Sequence, residues 1–195
     1  AAVALVIGQP DNADRWQKVS AQAQVKLDNR EVQIAPAELL SYMNDAKIKL
    51  IPLDVRDESN YNQFHLRGAV HLPLDQVQGK ARDLQFELAN TLFVIMSNDE
   101  SRATEAWKIL RAESVQNIYI LEGGINAWLK TYAADSFAAE DKIADRLDEQ
   151  LAFRFNAATG ARHQASEPAP NFLDLKYEPK VILQLKRAPT SGGCG

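Results

Sequence analysis

The residues best suited to chemistry lie in the polar hexapeptide SNDESR, residues 97–102, which contains two carboxylates, two hydroxyls, an amide and an arginine. An unbroken apolar run of strand length, Leu92 to Met96, comes directly before it, and a helical pattern follows it. Open α/β folds build anion sites in this way, because successive backbone N–H groups and a helix N-terminus point into one small concavity. The sequence therefore predicts that this segment, the 97–102 loop, binds an anion.

A second hypothesis for the same loop is a site for a hard cation. Asp99, Glu100 and the hydroxyl of Ser97 provide oxygen atoms, which such cations prefer as ligands. Two adjacent acids in a short loop also commonly face solvent and hold nothing. We expect neither a metal ion nor a cofactor in this protein.

Two residues of a neighbouring segment are candidate supports for the loop. Asp54 and Arg56 follow a short apolar run and therefore lie at the carboxyl end of a strand, where open α/β sheets place their sites. Asp54 either accepts N–H bonds from the 97–102 loop or caps the helix that follows it. The sequence leaves both roles open.

The elements that position these residues alternate between strand and helix patterns along the chain. The apolar runs and periodicities predict strands near 32–34, 50–54, 69–72, 92–96 and 116–121, and helices near 36–45, 58–64, 101–112 and 124–131. Residues 11–31 read as a helix or linker that docks on the main domain. This alternation predicts an α/β fold with an open, mostly parallel sheet and helices on both faces.

Three motifs of this chain resemble those of rhodanese-like domains. The first is D-x-R, a tyrosine, then H-[IL]-x-G-A-x-[HN]-[IL]-P, matched by Asp54, Arg56, Tyr61, His65, Leu66, Gly68, Ala69, His71, Leu72 and Pro73. The second is L-x-G-G-x-x-x-W, matched by Leu121, Gly123, Gly124 and Trp128. The third is the active-site loop C-x-x-x-x-R, here Ser97 to Arg102. The resemblance covers about residues 31–133 and implies that His65 and His71 hydrogen-bond backbone and support packing.

The serine at position 97 departs from the family, in which a persulfide forms on the cysteine of this loop. A serine hydroxyl is essentially un-ionised near neutral pH and cannot hold a sulfane sulfur as a stable persulfide. Asp99 and Glu100 add negative charge where the donor would bind, at a cost of roughly 1–4 kcal/mol for a like charge at ~4 Å, and Arg102 offsets only one of them. An engineered serine would not explain the acids, so we read the loop as naturally degenerate. We expect Ser97→Cys alone to restore little activity.

The N-terminal extension, residues 1–30, begins with eight uncharged residues, AAVALVIG. They read either as a buried strand or as the trailing end of an export signal or membrane anchor, with a membrane tether upstream of Ala1. We slightly favour a periplasmic or membrane-anchored bacterial setting over a cytoplasmic one. The net charge of −4 and the absence of a Lys/Arg cluster argue against nucleic-acid binding.

Beyond the predicted domain, residues 134–160 read as an amphipathic helix. Ile143, Leu147, Leu151 and Phe155 recur every four residues over 138–158. We expect this helix to pack across its own domain, or across a symmetry mate as a homodimer contact. Residues 161–195 read as a tail, with a linker at 161–172, an edge strand or strap at Tyr177 to Lys186, and a flexible end that carries Cys194, the chain's one cysteine.

These observations predict a rhodanese-like domain that lacks the catalytic cysteine and works as a binding or scaffold module for a protein partner or a small anion. The alternative is a sulfurtransferase, sulfur carrier or redox protein that uses the thiol of Cys194. Glycines flank that cysteine and provide the flexible spacer a swinging arm would need.

Overall fold

In this computed structural model, the structure describes residues 10–132, 138–139, 153–154, 163–164 and 175–185. Five parallel strands form the main sheet: β1 (Gln33–Ile34), β2 (Lys49–Asp54), β4 (Val70–His71), β5 (Thr91–Met96) and β6 (Ile118–Leu121). Their order across the sheet is β1-β6-β5-β2-β4, so β5 occupies the centre. The α/β architecture predicted from the alternating patterns is confirmed.

Strand β5 lies in the centre of the sheet, and all six of its residues are buried, as expected for a strand covered on both faces. It pairs with β2 over six residues, from Lys49 opposite Thr91 to Asp54 opposite Met96. The two strands therefore end together, which brings the residues that follow Asp54 next to the residues that follow Met96. Pro52 has no backbone N–H to donate to a neighbouring strand. On the side of β2 away from β5, strand β4 pairs only with Leu53 and Asp54, so Pro52 lies outside that ladder.

The described part of the chain has six helices, and five of them form two contacting groups. The six are α1 (Asn12–Asp28), α2 (Pro36–Met43), α3 (Glu58–Gln63), α4 (Val77–Gln85), α5 (Ser101–Ala112) and α6 (Gly124–Tyr132), with a 3₁₀ turn at Leu74–Gln76. Helices α1 and α4 pack against α5, and α2 packs against α6. The four predicted helices agree with the structure to within two residues, whereas α4 was not predicted. No helix among the described residues has the length and apolar character needed to cross a bilayer.

Helix α1 is the larger part of the N-terminal extension that the structure describes. Its N-terminus is capped by Asp11, whose carboxylate accepts the N–H of Asp14, and it buries Ala23 and Leu27 against the domain. At its C-terminus, Arg30 has φ = 59°, a left-handed conformation usually taken by glycine at this position. The sequence alternative of a linker is therefore excluded for residues 12–28.

Residues 175–185 form an extended strap, and the expected edge strand is absent from these residues. Side chains of the domain hold its backbone instead of a strand. Glu38 accepts the N–H groups of both Lys180 and Val181 at 2.9 Å, and the Tyr119 hydroxyl accepts that of Ile182 at 2.8 Å. The alternation of apolar residues in this segment therefore places Val181 against the core without forming a ladder.

The predicted helix over 138–158 is wrong where the structure describes that range. Strand β7 (Ala138–Ala139) pairs antiparallel with β8 (Phe153–Arg154), and the remaining residues of the range, including Leu147 and Leu151, lie outside the described residues. The predicted linker at 161–172 is likewise wrong at β9 (His163–Gln164), which pairs parallel with β3 (Phe64–His65). Cys194 lies outside the described residues.

Candidate anion-binding loop

The 97–102 loop connects the carboxyl end of β5 to α5, as the sequence predicts, but the side chain of Ser97 does not face solvent. Ser97 is fully buried. Its hydroxyl donates to the carbonyl oxygen of Asp99 at 2.8 Å and accepts the backbone N–H of Ala103 at 3.1 Å. The atom at the family's nucleophile position therefore has partners on both sides, inside the loop.

The carboxylate of Asp99 turns back into the loop. Its Oδ1 atom accepts both the backbone N–H and the hydroxyl of Ser101, each at 2.8 Å. An N–H group at the start of α5 that could have bound an external anion is thus bound to an anion of the chain itself. Asp99 was expected to repel a negatively charged sulfur donor. In the structure its carboxylate also takes the place of such an anion at the N–H of Ser101.

The N-terminus of α6 is also used by the loop. The N–H groups of Ile125 and Asn126 donate to the carbonyl oxygens of Ser97 and Asn98, at 2.9 and 3.0 Å. This approach requires Gly124, which has φ = +62°, and whose added Cβ would lie 2.5 Å from the carbonyl oxygen of Ser97 and 2.7 Å from that of Asn98. The second helix start at the site therefore binds loop carbonyls.

Glu100 is paired with an arginine from outside the loop. The guanidinium of Arg30 donates to both carboxylate oxygens of Glu100, at 2.5 and 2.8 Å, and also reaches Glu122 at 2.9 Å. The N–H of Gly123 adds a bond to Glu100 at 2.7 Å. Burial opposes ionisation of the Glu100 carboxylate, but the hydrogen bonds from Arg30 and Gly123 outweigh it, so the pKa of Glu100 is lowered. The hydrogen bond to Glu100 in turn raises the pKa of Arg30.

The sequence interpretation paired Arg102 with an acid of its own loop, whereas the structure shows a bond to an acid of another segment. The guanidinium of Arg102 donates to Asp57 at 2.8 Å, on the segment that enters α3. The pair is partly exposed, with 31% of the Arg102 side chain and 62% of the Asp57 side chain accessible. Arg102 therefore fastens the outer side of the loop to α3, while Arg30 neutralises Glu100.

Asp54 and Arg56 support the loop through a buried ion pair. The carboxylate of Asp54 accepts from Nε and Nη2 of Arg56, at 2.9 and 2.7 Å, and both residues are fully buried. Arg56 then donates to the side-chain oxygen of Asn98 at 3.0 Å and to the carbonyl of Phe64. Asp54 thus neither caps α3 nor accepts loop N–H groups; it orients the arginine that contacts the loop.

The two histidines of the first motif contact backbone, as the resemblance implies. His65 Nδ1 lies 2.9 Å from the carbonyl oxygen of Tyr61, and His71 Nε2 lies 2.9 Å from that of Arg56. Both rings stack on the ring of Tyr61, with centroids 4.0 and 4.5 Å away. One ring nitrogen of each histidine contacts a backbone carbonyl, and the stacked rings pack on Tyr61, so we assign both residues a structural role.

The cation hypothesis fails on the directions of the two acids. Asp99 faces Ser101 and Glu100 faces Arg30, so the two carboxylates do not converge on one point. In the part of the chain that the structure describes, no group of three or more acidic, histidine or cysteine side chains could hold a metal ion.

Comparisons with known proteins agree with this geometry. The Rhodanese-like domain family matches residues 35–131. Residues 35–131 are a rhodanese-like domain. Helix α1, Arg30 and the strap lie outside this matched range.

Among similar proteins, thiosulfate sulfurtransferase GlpE of Pseudomonas entomophila is 26% identical over 104 residues, which are 53% of this chain and 90% of that protein. A probable molybdopterin-synthase adenylyltransferase of Pyropia yezoensis is 28% identical over 96 residues, 49% of this chain and only 25% of that protein. The solution structure of the rhodanese-like domain of the Anabaena sp. Alr3790 protein is 22% identical, with a TM-score of 0.45, over 61% of this chain and 96% of that one.

The sequence interpretation missed Arg30, Glu122 and Asp57 as parts of the site. Arg30 is 70 residues from Glu100, and nothing in the charge pattern pairs them. One signal was available: a helix pattern ends just before Arg30 without glycine, so a residue with a side chain must take the left-handed conformation there. Such strain is a reason to look for a partner.

Proposed function

We propose that this chain is a rhodanese-like protein without intrinsic sulfurtransferase activity, and that its domain works as a binding or scaffold module. One observation carries the proposal. Two N–H groups at the start of α5, those of Ser101 and Ala103, already bind Asp99 and Ser97, and the N–H groups of Ile125 and Asn126 in α6 bind loop carbonyls. Part of the donor set that could hold an external anion is therefore bound by the loop itself, which also lacks a thiol.

Sulfur transfer requires a nucleophile that can attack sulfane sulfur and hold it as an anion. The hydroxyl of Ser97 would need a general base to act as one. The nearest carboxylate in the loop, Asp99, is bound by Ser101, while the hydroxyl itself donates to a carbonyl oxygen. This arrangement supports a stable, inert loop.

The test is the formation of thiocyanate from thiosulfate and cyanide by the purified chain. We expect no turnover above background for the native protein and for Cys194→Ser. Turnover that survives Cys194→Ser would overturn the proposal. Turnover that Cys194→Ser abolishes would instead establish the alternative, a sulfur carrier that uses the C-terminal thiol.

Two further variants separate the missing thiol from the hydrogen bonds inside the loop. We expect Ser97→Cys alone to restore little activity, because the new sulfur would face the carbonyl oxygen of Asp99 and find the Asp99 carboxylate in the loop. Ser97→Cys combined with Asp99→Ala should be more active than Ser97→Cys, since it removes that carboxylate. Full activity of the single variant would show that the Asp99 carboxylate has no influence.

A further inference from the structure

A cleft of about 60 Å³ lies at the amino end of β6, the end of the sheet opposite the 97–102 loop. Its walls come from α1, from the end of α5, from the start of β6 and from the strap, and Lys26, Trp107, Arg111, Ile118, Ile182 and Gln184 are among its lining residues. Two of its four walls, α1 and the strap, lie outside the residues that match the family. The cleft is therefore formed partly by residues outside the matched range.

The cleft carries two cations and no acid. Lys26 and Arg111 both line it, and no aspartate or glutamate does. Neither cation forms a hydrogen bond or ion pair through its side chain with another described residue. Glu113, two residues beyond Arg111, is bound instead by Arg15 and by the side-chain amide of Asn12.

Two like charges facing one cleft repel each other, and an anion between them removes that repulsion. The charges of the cleft thus favour a negatively charged ligand.

The apolar side chains of the lining favour a carboxylate on an aliphatic stem over a bare inorganic ion. Trp107 and Ile118 both contribute to the lining, and the indole N–H of Trp107 is already bound to the carbonyl of Ile118. At the rim, Ile182 is 79% exposed, and Leu185 on the same strap is 63% exposed. Exposed aliphatic side chains next to a charged cleft are typical of a protein contact.

We propose that this cleft binds an acidic side chain of a protein partner, with the carboxylate between Lys26 and Arg111 and apolar neighbours of that acid over Ile182 and Leu185. The inference rests on the proposed role of the domain as a binding module and assigns that role a surface. The same carboxylate chemistry could come from a free short-chain acid, and the experiment separates these two sources.

The experiment is an NMR titration of the full ¹⁵N-labelled chain. The probes are an acetylated and amidated Leu-Glu-Leu peptide, the matching Leu-Gln-Leu peptide, and butyrate. The reporters are the indole N–H of Trp107 and the side-chain amides of Asn117 and Gln184, which line the cleft. We expect saturable shifts of these signals with the glutamate peptide, weaker binding of butyrate, and several-fold weaker binding of the glutamine peptide, since its amide lacks the two solvent-screened charge pairs that the carboxylate would form with Lys26 and Arg111.

The decisive variant is Lys26→Gln combined with Arg111→Gln, which should abolish the shifts. Its matched control is Lys47→Gln combined with Lys80→Gln, which changes the net charge equally and lies outside the cleft. The proposal would be overturned if the two peptides bind equally well or if the cleft variant binds the glutamate peptide unchanged. It would also be overturned if the three reporter signals do not shift at millimolar peptide. Butyrate binding as tightly as the glutamate peptide would assign the cleft to a free acid instead. Each of these results leaves the thiocyanate assay unaffected, so the two proposals fail separately.

Discussion

Replacing Arg30 should reveal how strongly helix α1 stabilises the 97–102 loop. Arg30 bonds both oxygens of Glu100 and one oxygen of Glu122, so Arg30→Gln leaves Glu100 with the N–H of Gly123 as its remaining described partner. The backbone of Arg30 has φ = 59°, a conformation that costs a residue with a side chain about 1 kcal/mol or more. A loss of bonds and a relief of strain can therefore be separated at one position.

The magnitude follows from the exposure of the pair. Breaking a buried ion pair costs about 3–5 kcal/mol, whereas exposed pairs contribute about 0–1 kcal/mol. The side chain of Glu100 is 23% exposed and that of Arg30 is 42% exposed, so solvent screening reduces the buried figure. We expect Arg30→Gln to lower the free energy of unfolding by about 2 kcal/mol. Arg30→Gly should lower it by only about 1 kcal/mol, because glycine removes the strain, and Arg30→Lys should also be milder because it keeps the charge.

The pH dependence tests whether the cause is the carboxylate. The pKa of Glu100 is lowered in the folded protein, so the pair contributes fully above the usual glutamate pKa of 4.5, and its contribution is lost as the pH falls through the lowered value. Urea unfolding should show the full difference between the native protein and Arg30→Gln near neutral pH, and a smaller one below about pH 4. An equal difference at both pH values, or a larger loss with Arg30→Gly than with Arg30→Gln, would refute this account.

Two stability predictions concern the other supports of the loop, and urea unfolding tests both. Gly124→Ala should cost about 2 kcal/mol or more, because its Cβ would collide with loop carbonyls at a positive φ, whereas Gly79→Ala, with open space around its Cβ in a helix, should be neutral or stabilise by up to about 1 kcal/mol. Similar effects of the two changes would contradict the packing described here. Asp54→Asn should cost about 3–5 kcal/mol, because it leaves the buried Arg56 without its counter-charge, whereas Asp57→Asn at the exposed pair should cost less than about 1 kcal/mol. A mild effect of Asp54→Asn would show that Arg56 is satisfied without it.

The strands and most helices could be predicted because their patterns are local. Strand β5 is apolar at five consecutive positions, from Leu92 to Met96, and in an α/β fold such a run is typical of a parallel strand that is buried on both faces. Helix α4 was missed because its buried face consists of little more than Val77 and Ala81, too few residues to stand out as a period. The range 138–158 was misread at Ala138–Ala139 and Phe153–Arg154, which pair as strands, because the helix was extended over them from a period formed by other residues.

The candidate loop could be located from its sequence, but the directions of its charged side chains could not. Glu100 and Arg102 look like partners because they are neighbours, yet each bonds a residue from another segment, Arg30 and Asp57. Which opposite charge lies nearest depends on how α1 and α3 pack, and a charge pattern along one chain does not contain that information. The buried contact between Arg56 and Asn98 was hidden for the same reason.

The serine at position 97 and the hydrogen bonds inside the loop are independent observations, and both bear on whether the loop binds an anion. Exchanging a thiol for a hydroxyl in an open loop would leave N–H groups free to bind an anion. Here the carboxylate of Asp99 binds the N–H of Ser101, and the hydroxyl of Ser97 binds that of Ala103. The carbonyls of Ser97 and Asn98 bind N–H groups of α6, at the close approach that Gly124 permits, and Arg30, from outside the matched range, neutralises Glu100. Under the proposed function, an anion would have to displace Asp99 and Ser97 to reach the N–H groups of Ser101 and Ala103. The proposed partner surface therefore lies at the opposite end of the sheet, at the cleft where Lys26 and Arg111 have no acidic partner among the described residues.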